Sequence, residues 1–291
     1  MMEILKFKED ILSLDPSYEF ENVKVRGLQH KYPNTALLLV TNKCFEYCPY
    51  CFRKRNFETE REVCKNVDEA IDYIRSSPII DNVLISGGDP LTLSNEELEN
   101  IFSKIPKNIK IRVGTKALHF YPRRLDAKLR RLLKEYSVDI TTHFVHPDEI
   151  SSDTESMVEL LDYSVGGLVL RNQAVFLKGI NDNPDTLVKL FKKLVNIGIF
   201  PYYLFQCRPT KGNSKYGIPL LEGIDIVEEA KAELSGIAKS FRYVISHKDG
   251  KIEIIGKYGY NSVVFKYHQA KHAIDRGKVF VRELEPRQTW L

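Results

Sequence analysis

The sequence predicts an α/β chain built as six strand-helix units and closed by a short β segment, and three observations carry that prediction. Apolar runs of strand length alternate with segments whose apolar residues recur at helical spacing. Polar or glycine-containing loops follow the carboxyl ends of the strands, and near residue 240 the grain changes to closely spaced strands. Strands separated by helices pair in parallel through right-handed crossovers. Six such units make a partial (β/α)6 barrel of TIM-like type, with functional groups expected at the carboxyl ends of its strands.

Taken in order, Ala36-Leu37-Leu38-Leu39-Val40 reads as a buried strand that ends where a cysteine-rich loop begins, and Val67, Ala70, Ile71 and Ile74 mark the first helix. Asn82–Ile85 is the second strand. It precedes a helix over Asn95–Ile105, which Ser94 and Glu97 open as a capping box. Further strands are expected at Ile109–Val113, Val138–His143, Leu168–Phe176 and Tyr202–Gln206. Helices fall between and after them at Leu125–Tyr136, Thr154–Tyr163, Pro184–Ile197 and Gly223–Ile237. Phe241–Ile245 and Lys251–Ile255 read as a hairpin turned at Asp249-Gly250, with a third strand at Ser262–Tyr267. The organisation is therefore an amino-terminal extension (1–34), a partial barrel (35–239) and a small β appendage (240–291).

At 291 residues the chain suits one large core. Five cysteines, an odd count with three clustered, do not form a disulfide framework and imply a reducing interior. Charge interrupts the apolar residues of Met1-Met2-Glu3-Ile4-Leu5-Lys6 too soon for a signal peptide, and no stretch has the length of a membrane span. A soluble, cytoplasmic protein is expected. The net charge of +4 comes from acids and bases mixed along the chain, which describes a solvated surface and assigns no nucleic-acid partner.

The decisive residues are Cys44, Cys48 and Cys51, spaced C-x3-C-x2-C at the end of the first strand. Cluster irons are held by thiolates, and four cysteines are the ordinary complement of a four-iron cluster, so three leave one iron open. Two other readings exist. Cys48-Pro49-Tyr50-Cys51 alone is a glutaredoxin-like dithiol motif, but Cys44 has no part in a two-thiol exchange. A structural metal such as zinc wants four ligands, and Cys64 and Cys207 lie far off in sequence. Ser86-Gly87-Gly88-Asp89-Pro90 follows the second strand, where two glycines let the backbone approach a ligand closely.

These two motifs together resemble the radical S-adenosylmethionine (SAM) superfamily, with its open three-quarter barrel. Within it the chain resembles the lysine 2,3-aminomutase family from about residue 30 to the middle two hundreds. The supporting strings include Tyr32-Pro33, Leu38-Leu39-Val40-Thr41, Ser86-Gly87-Gly88-Asp89, Thr142-His143-Phe144, His146-Pro147, Asn172-Gln173, Lys178-Gly179-Ile180-Asn181-Asp182 and Pro201-Tyr202-Tyr203. The resemblance implies a [4Fe-4S] cluster on Cys44, Cys48 and Cys51 whose open iron chelates SAM. It places Gly87, Gly88 and Asp89 at the SAM amino group, His143 and Gln173 around SAM, and Tyr50 beside the adenine. It also implies a small-molecule substrate and an external electron donor of flavodoxin or ferredoxin type. None of these residues speaks to oligomeric state.

For the substrate, Arg53 falls on the family's carboxylate-clamping arginine, a task a bidentate guanidinium suits. Arg208 stands where the lysine enzyme has an aspartate for the distant ammonium. Facing two like charges in a buried site costs about 3–5 kcal/mol, or roughly two to four decades of affinity. An acidic tail is thus expected in place of lysine, with a structural ion pair at the rim as the other reading of Arg208. Pyridoxal phosphate (PLP) is disfavoured at this level. Lys251 falls near the family's PLP lysine but follows Asp249-Gly250 and starts a strand, as an exposed hairpin lysine would. Lys31 and Tyr32 match phosphate contacts, whereas Thr35 and Phe205 replace the family's arginine and tyrosine. Without PLP, the same radical chemistry would serve an epimerase, a dehydrogenase or another rearrangement.

Overall fold

The computed structural model describes residues 14–15, 18–161 and 168–291. Within them one sheet carries twelve strands in sequence order. β1 (Val23–Val25), β2 (Leu28–Tyr32) and β3 (Thr35–Thr41) pair antiparallel. From β3 the ladder turns parallel through β4 (Asn82–Gly87), β5 (Lys110–Thr115), β6 (Asp139–Thr142), β7 (Leu170–Phe176) and β8 (Phe200–Gln206). These six are the strands of the expected partial barrel.

The carboxyl-terminal strands extend that sheet. β9 (Arg242–His247) pairs parallel with β8, because a helix crosses over before it. Only then does the ladder reverse, through β10 (Gly250–Lys257), β11 (Ser262–Ala270) and β12 (Val279–Glu283). Gly250 pairs with His247, so the tight turn lies on Lys248 and Asp249, one residue earlier than the sequence placed it.

Local chemistry explains the helices. In α1 (Val67–Ser76) the Asn66 side chain accepts from the Glu69 amide, and Ala70, Ile71 and Ile74 face the core. In α2 (Asn95–Lys104) the Ser94–Glu97 capping box is present as expected. After the single turn α3 (Ala117–Phe120), α4 (Ala127–Glu135) begins at its cap Asp126, two residues later than the apolar pattern suggested. α5 (Ser152–Leu160) starts on a Ser151–Thr154 capping box, and the expected end of this helix at Tyr163 lies outside the described residues. α6 (Pro184–Asn196) has Asn183 as cap and proline in its first turn. α7 (Leu220–Ala232) starts directly after Pro219 and stops short of Ser235-Gly236, so it sits earlier than the expected Gly223–Ile237.

Alternation along the strands puts the functional groups on one face. In β5, Ile111 and Val113 are buried in the apolar core, while Arg112 and Gly114 point to the barrel interior. No strand pairing among the described residues joins β1 to β12, yet the two flanks meet through side chains. Lys31 Nζ donates to the His247 carbonyl (2.5 Å), Lys271 pairs with Glu21 (3.1 Å), and the Lys248 ammonium lies 5.5 Å from the centre of the Tyr18 ring. This seam encloses one side of the interior. No helix of the described residues is long and apolar enough to cross a membrane.

Candidate active site

A cavity of about 350 Å³ opens at the carboxyl ends of the parallel strands. Cys44, Cys48, Cys51, Tyr50, Gly87, Gly88, Asp89, His143 and Gln173 line it, and so do Arg53, Arg208, Lys31, Tyr32 and Lys251. Every site residue singled out in the sequence therefore reaches one space. Six lysine or arginine side chains line it against three aspartates or glutamates, which favours anionic ligands.

The cysteine loop leaves β3 at Thr41 and is clamped at both ends. The Gly88 amide donates to Thr41 O (2.6 Å) and the Asp89 amide to Lys43 O (2.7 Å). A Cβ on Gly88 would fall 2.2 Å from Lys43 O, and one on Gly87, at φ +127°, would fall 2.2 Å from Thr41 O. The glycines thus admit the cysteine loop against β4, and both also line the cavity. At the far end, Lys54 Nζ donates to Asn213 Oδ1 (2.7 Å), and Asn213 Nδ2 donates to Tyr50 O (2.9 Å).

The Asp89 side chain is engaged within the protein. Its buried carboxylate accepts from Thr115 Oγ1 (2.7 Å), the Lys116 amide (2.8 Å) and the Leu91 amide (3.0 Å). It braces the β4 and β5 loops against each other. Burial pushes the Cys44 thiol up to about 12 and raises Cys48 and Cys51 as well. Such thiols are poor nucleophiles by themselves, which disfavours dithiol exchange. No group of three His, Cys, Asp or Glu side chains among the described residues converges on one point. A cluster makes no such demand, since each thiolate serves a different iron.

Next to the cysteines, Lys116 Nζ donates to Tyr50 Oη (2.8 Å) and Glu149 Oε1 (2.6 Å), fixing the Tyr50 ring. His143 packs over Gly114. Burial, then the charges of Lys116 and Arg53, push it down to about 4, so it is neutral and able to accept a hydrogen bond. Lys116 follows β5 directly, and the strand-end rule could have found it.

The opposite wall is cationic. Lys251 is turned inward, not exposed: its ammonium lies 4.2 Å from the Tyr203 ring centre, and Nζ donates to Gln269 Oε1 (3.0 Å). Burial, with Arg112, Lys31 and Arg208 nearby, lowers its pKa to about 7. Arg112 Nε is buried with no hydrogen-bond partner among the described residues, an arrangement that calls for an anion. Sequence reasoning missed Arg112, although a charge between Ile111 and Val113 in an apolar strand was the available signal.

Arg53 and Arg208 are not free. Glu19, from the amino-terminal extension, accepts from Arg53 Nε (3.1 Å) and Nη2 (3.0 Å) and from Arg55 Nη2 (2.7 Å), and lies 3.6 Å from Arg208 Nη1. Arg208 also donates to Ser246 Oγ (2.6 Å) and stacks over Phe52. Burial would raise the Glu19 pKa, but Arg53, Arg208 and Arg55 outweigh it and hold the carboxylate ionised.

Comparison with known proteins agrees with this geometry. The radical SAM superfamily profile matches residues 38–161. A protein of Aquifex aeolicus provisionally named L-lysine 2,3-aminomutase is 45% identical over 95% of this chain and 76% of its own length. The L-lysine 2,3-aminomutase of Clostridium subterminale is 38% identical over 76% of the chain, which spans about half (54%) of that enzyme. The glutamate 2,3-aminomutase of Clostridioides difficile is 34% identical over 87% of the chain and 61% of its own length. A radical SAM methyltransferase from Sphaerobacter thermophilus shares the fold, with a TM-score of 0.53 at 18% identity over 75% of this chain and 68% of that one.

Proposed function

Because the chain belongs to the lysine 2,3-aminomutase family of the radical SAM superfamily, we propose that it is a radical enzyme of the amino-shifting kind acting on a small acidic amino acid, with PLP as second cofactor. The observation that carries this reading is the single cavity that joins the three thiols and the SAM-side residues to Arg53, Arg208 and Lys251. When bound, the cluster and SAM supply a 5′-deoxyadenosyl radical and PLP supplies electron delocalisation.

The chain's own residues do the rest. Cys44, Cys48 and Cys51 hold the cluster, while Gly87-Gly88 fixes the loop that presents them. Tyr50, steadied by Lys116, and neutral His143 flank the SAM side together with Gln173. Lys251 is close to neutral at physiological pH, as a lysine that bonds covalently to a carbonyl must be. Lys31, Tyr32 and Arg112 supply phosphate donors, and Arg112 offsets Thr35 and Phe205, the two positions that argued against PLP. Arg53 keeps Nη1 for the substrate carboxylate, and Arg208 with Ser246 favours an acidic group over an ammonium.

The test is anaerobic reconstitution with iron, sulfide and PLP, followed by reduction and addition of SAM with L-glutamate, L-aspartate or L-lysine. 5′-Deoxyadenosine from the native chain but not from Cys48→Ala, with a β-amino acid formed from an acidic substrate, is expected. A chain that retains only zinc and cleaves no SAM with any substrate sinks the reading. SAM cleavage without PLP absorbance would favour the PLP-free rearrangement.

A further inference from the structure

We propose that Glu19 is a positioning residue for substrate recognition, one that presets Arg53 and couples it to Arg208 so that the two act as one anion receptor. This rests on the reading of Arg53 as the carboxylate clamp. Two independent features show that the Glu19 carboxylate is a built part of the site and not a chance contact.

The first is how it is held. It takes the Nε/Nη2 edge of Arg53 with both oxygens, leaving Nη1 directed at Ser86 Oγ (3.5 Å) beside the cavity. Behind it stands Arg55, which does not line the cavity and is itself gripped by Glu62 through Nε (2.7 Å) and Nη2 (3.0 Å). Withdrawing Glu19 would leave three half-buried guanidinium groups with one carboxylate fewer between them, so a displaceable plug is the poorer description.

The second is the backbone before it. Tyr18 sits at φ 51°, ψ 46°, a left-handed conformation rare for an aromatic residue. Asp15 holds it in place, its carbonyl accepting from the Tyr18 amide (3.0 Å) and its carboxylate from the Phe20 amide (3.2 Å). The left-handed backbone at Tyr18 and these two hydrogen bonds set the direction in which Glu19 leaves toward the arginines.

Because Arg53 and Arg208 both reach Glu19 Oε1, the two are held close by a shared counter-charge. Without it the two guanidinium groups would repel across a partly buried site, where charges are screened less than in bulk water. The receptor so formed suits carboxylates lying near each other, as in a short dicarboxylic amino acid, better than groups at opposite ends of a long chain.

The test uses the full chain, with phenylglyoxal as a guanidinium probe and mass spectrometry of the modified peptides. Glu19→Gln is expected to raise the modification rate of Arg53 and Arg208 about tenfold. Glu19→Asp, which keeps the charge with a shorter reach, should give an intermediate rate. With L-glutamate as substrate, Glu19→Gln should raise KM at least tenfold and lower kcat less than threefold, a split that general loss of structure would not produce. Rates within twofold of native in a folded Glu19→Gln protein would overturn the inference. If that variant does not fold, the same ratio measured in Glu19→Asp decides. A native chain inert toward L-glutamate would count against the proposed substrate alone, since the modification rates need no substrate.

Discussion

Lys251 shows how far a residue's neighbours can move its chemistry. Its pKa is lowered from 10.5 to about 7, chiefly by burial, so between those values the unfolded chain carries a proton that the folded chain does not. Stability therefore rises with pH across that window. Lys251→Met removes the dependence. The variant should be the more stable protein at pH 7.5 in urea denaturation, with a lead that shrinks toward pH 10; a lead that stays constant with pH would show that the amine does not titrate there. The three thiols were legible in the sequence because their spacing is local and belongs to few chemistries. Glu19 was not, because nothing around it in the chain has a pattern and its partner Arg53 lies 34 residues away; Arg112 was not, because a lone charge in an apolar strand does not say what it faces, and its Nε has no partner among the described residues. Lys251 was misread for a related reason: a hairpin lysine looks exposed until the opposite wall of the barrel is known.

Among the elements, the join between β4 and the cysteine loop is the most sensitive to change. Gly88→Ala would drive a methyl group into Lys43 O, and backbone on both sides leaves no flexible side chain to yield. The cost should be about 1–3 kcal/mol, with a displaced loop and iron content after reconstitution well below that of the native chain. Full iron loading and an unchanged melting temperature would contradict this. Helix and strand identities were readable because caps and periodicity are local, as Ser94, Asn183 and the alternation in β5 show. Boundaries shifted by a few residues wherever a cap or proline overrode the apolar pattern, at Asp126 and Pro219 for instance. The parallel pairing of β9 was hidden, since a hairpin strand carries no sign of which earlier strand it will meet.

At the scale of the whole molecule, the site belongs to no single segment. The cavity takes its thiols, Tyr50 and Arg53 from the loop after β3, Gly87 to Asp89, Arg112, His143 and Gln173 from β4 to β7 and the loops that follow them, and Lys31, Tyr32, Arg208 and Lys251 from the flanking strands of the sheet and the end of β8. A ligand bound at that meeting point stabilises the fold that assembles it. SAM at one hundred times its dissociation constant should add about 2.7 kcal/mol to the stability of the cluster-loaded chain. Anaerobic thermal melts should show a clear upward shift for the native protein and none for Cys48→Ala; equal shifts in both would place SAM away from the cluster.

The side-chain seam between the flanks also has a temporal meaning. It links residues 216 and 250 positions apart, and contacts of such separation close late in folding. On the ribosome, Cys51 emerges about two hundred residues before Lys251, which at ~5–20 residues per second is roughly ten to forty seconds. For that interval the three thiols stand at the end of a strand whose facing wall has not yet been made. Iron and sulfide, or oxygen, would meet them in that interval without the facing wall in the way.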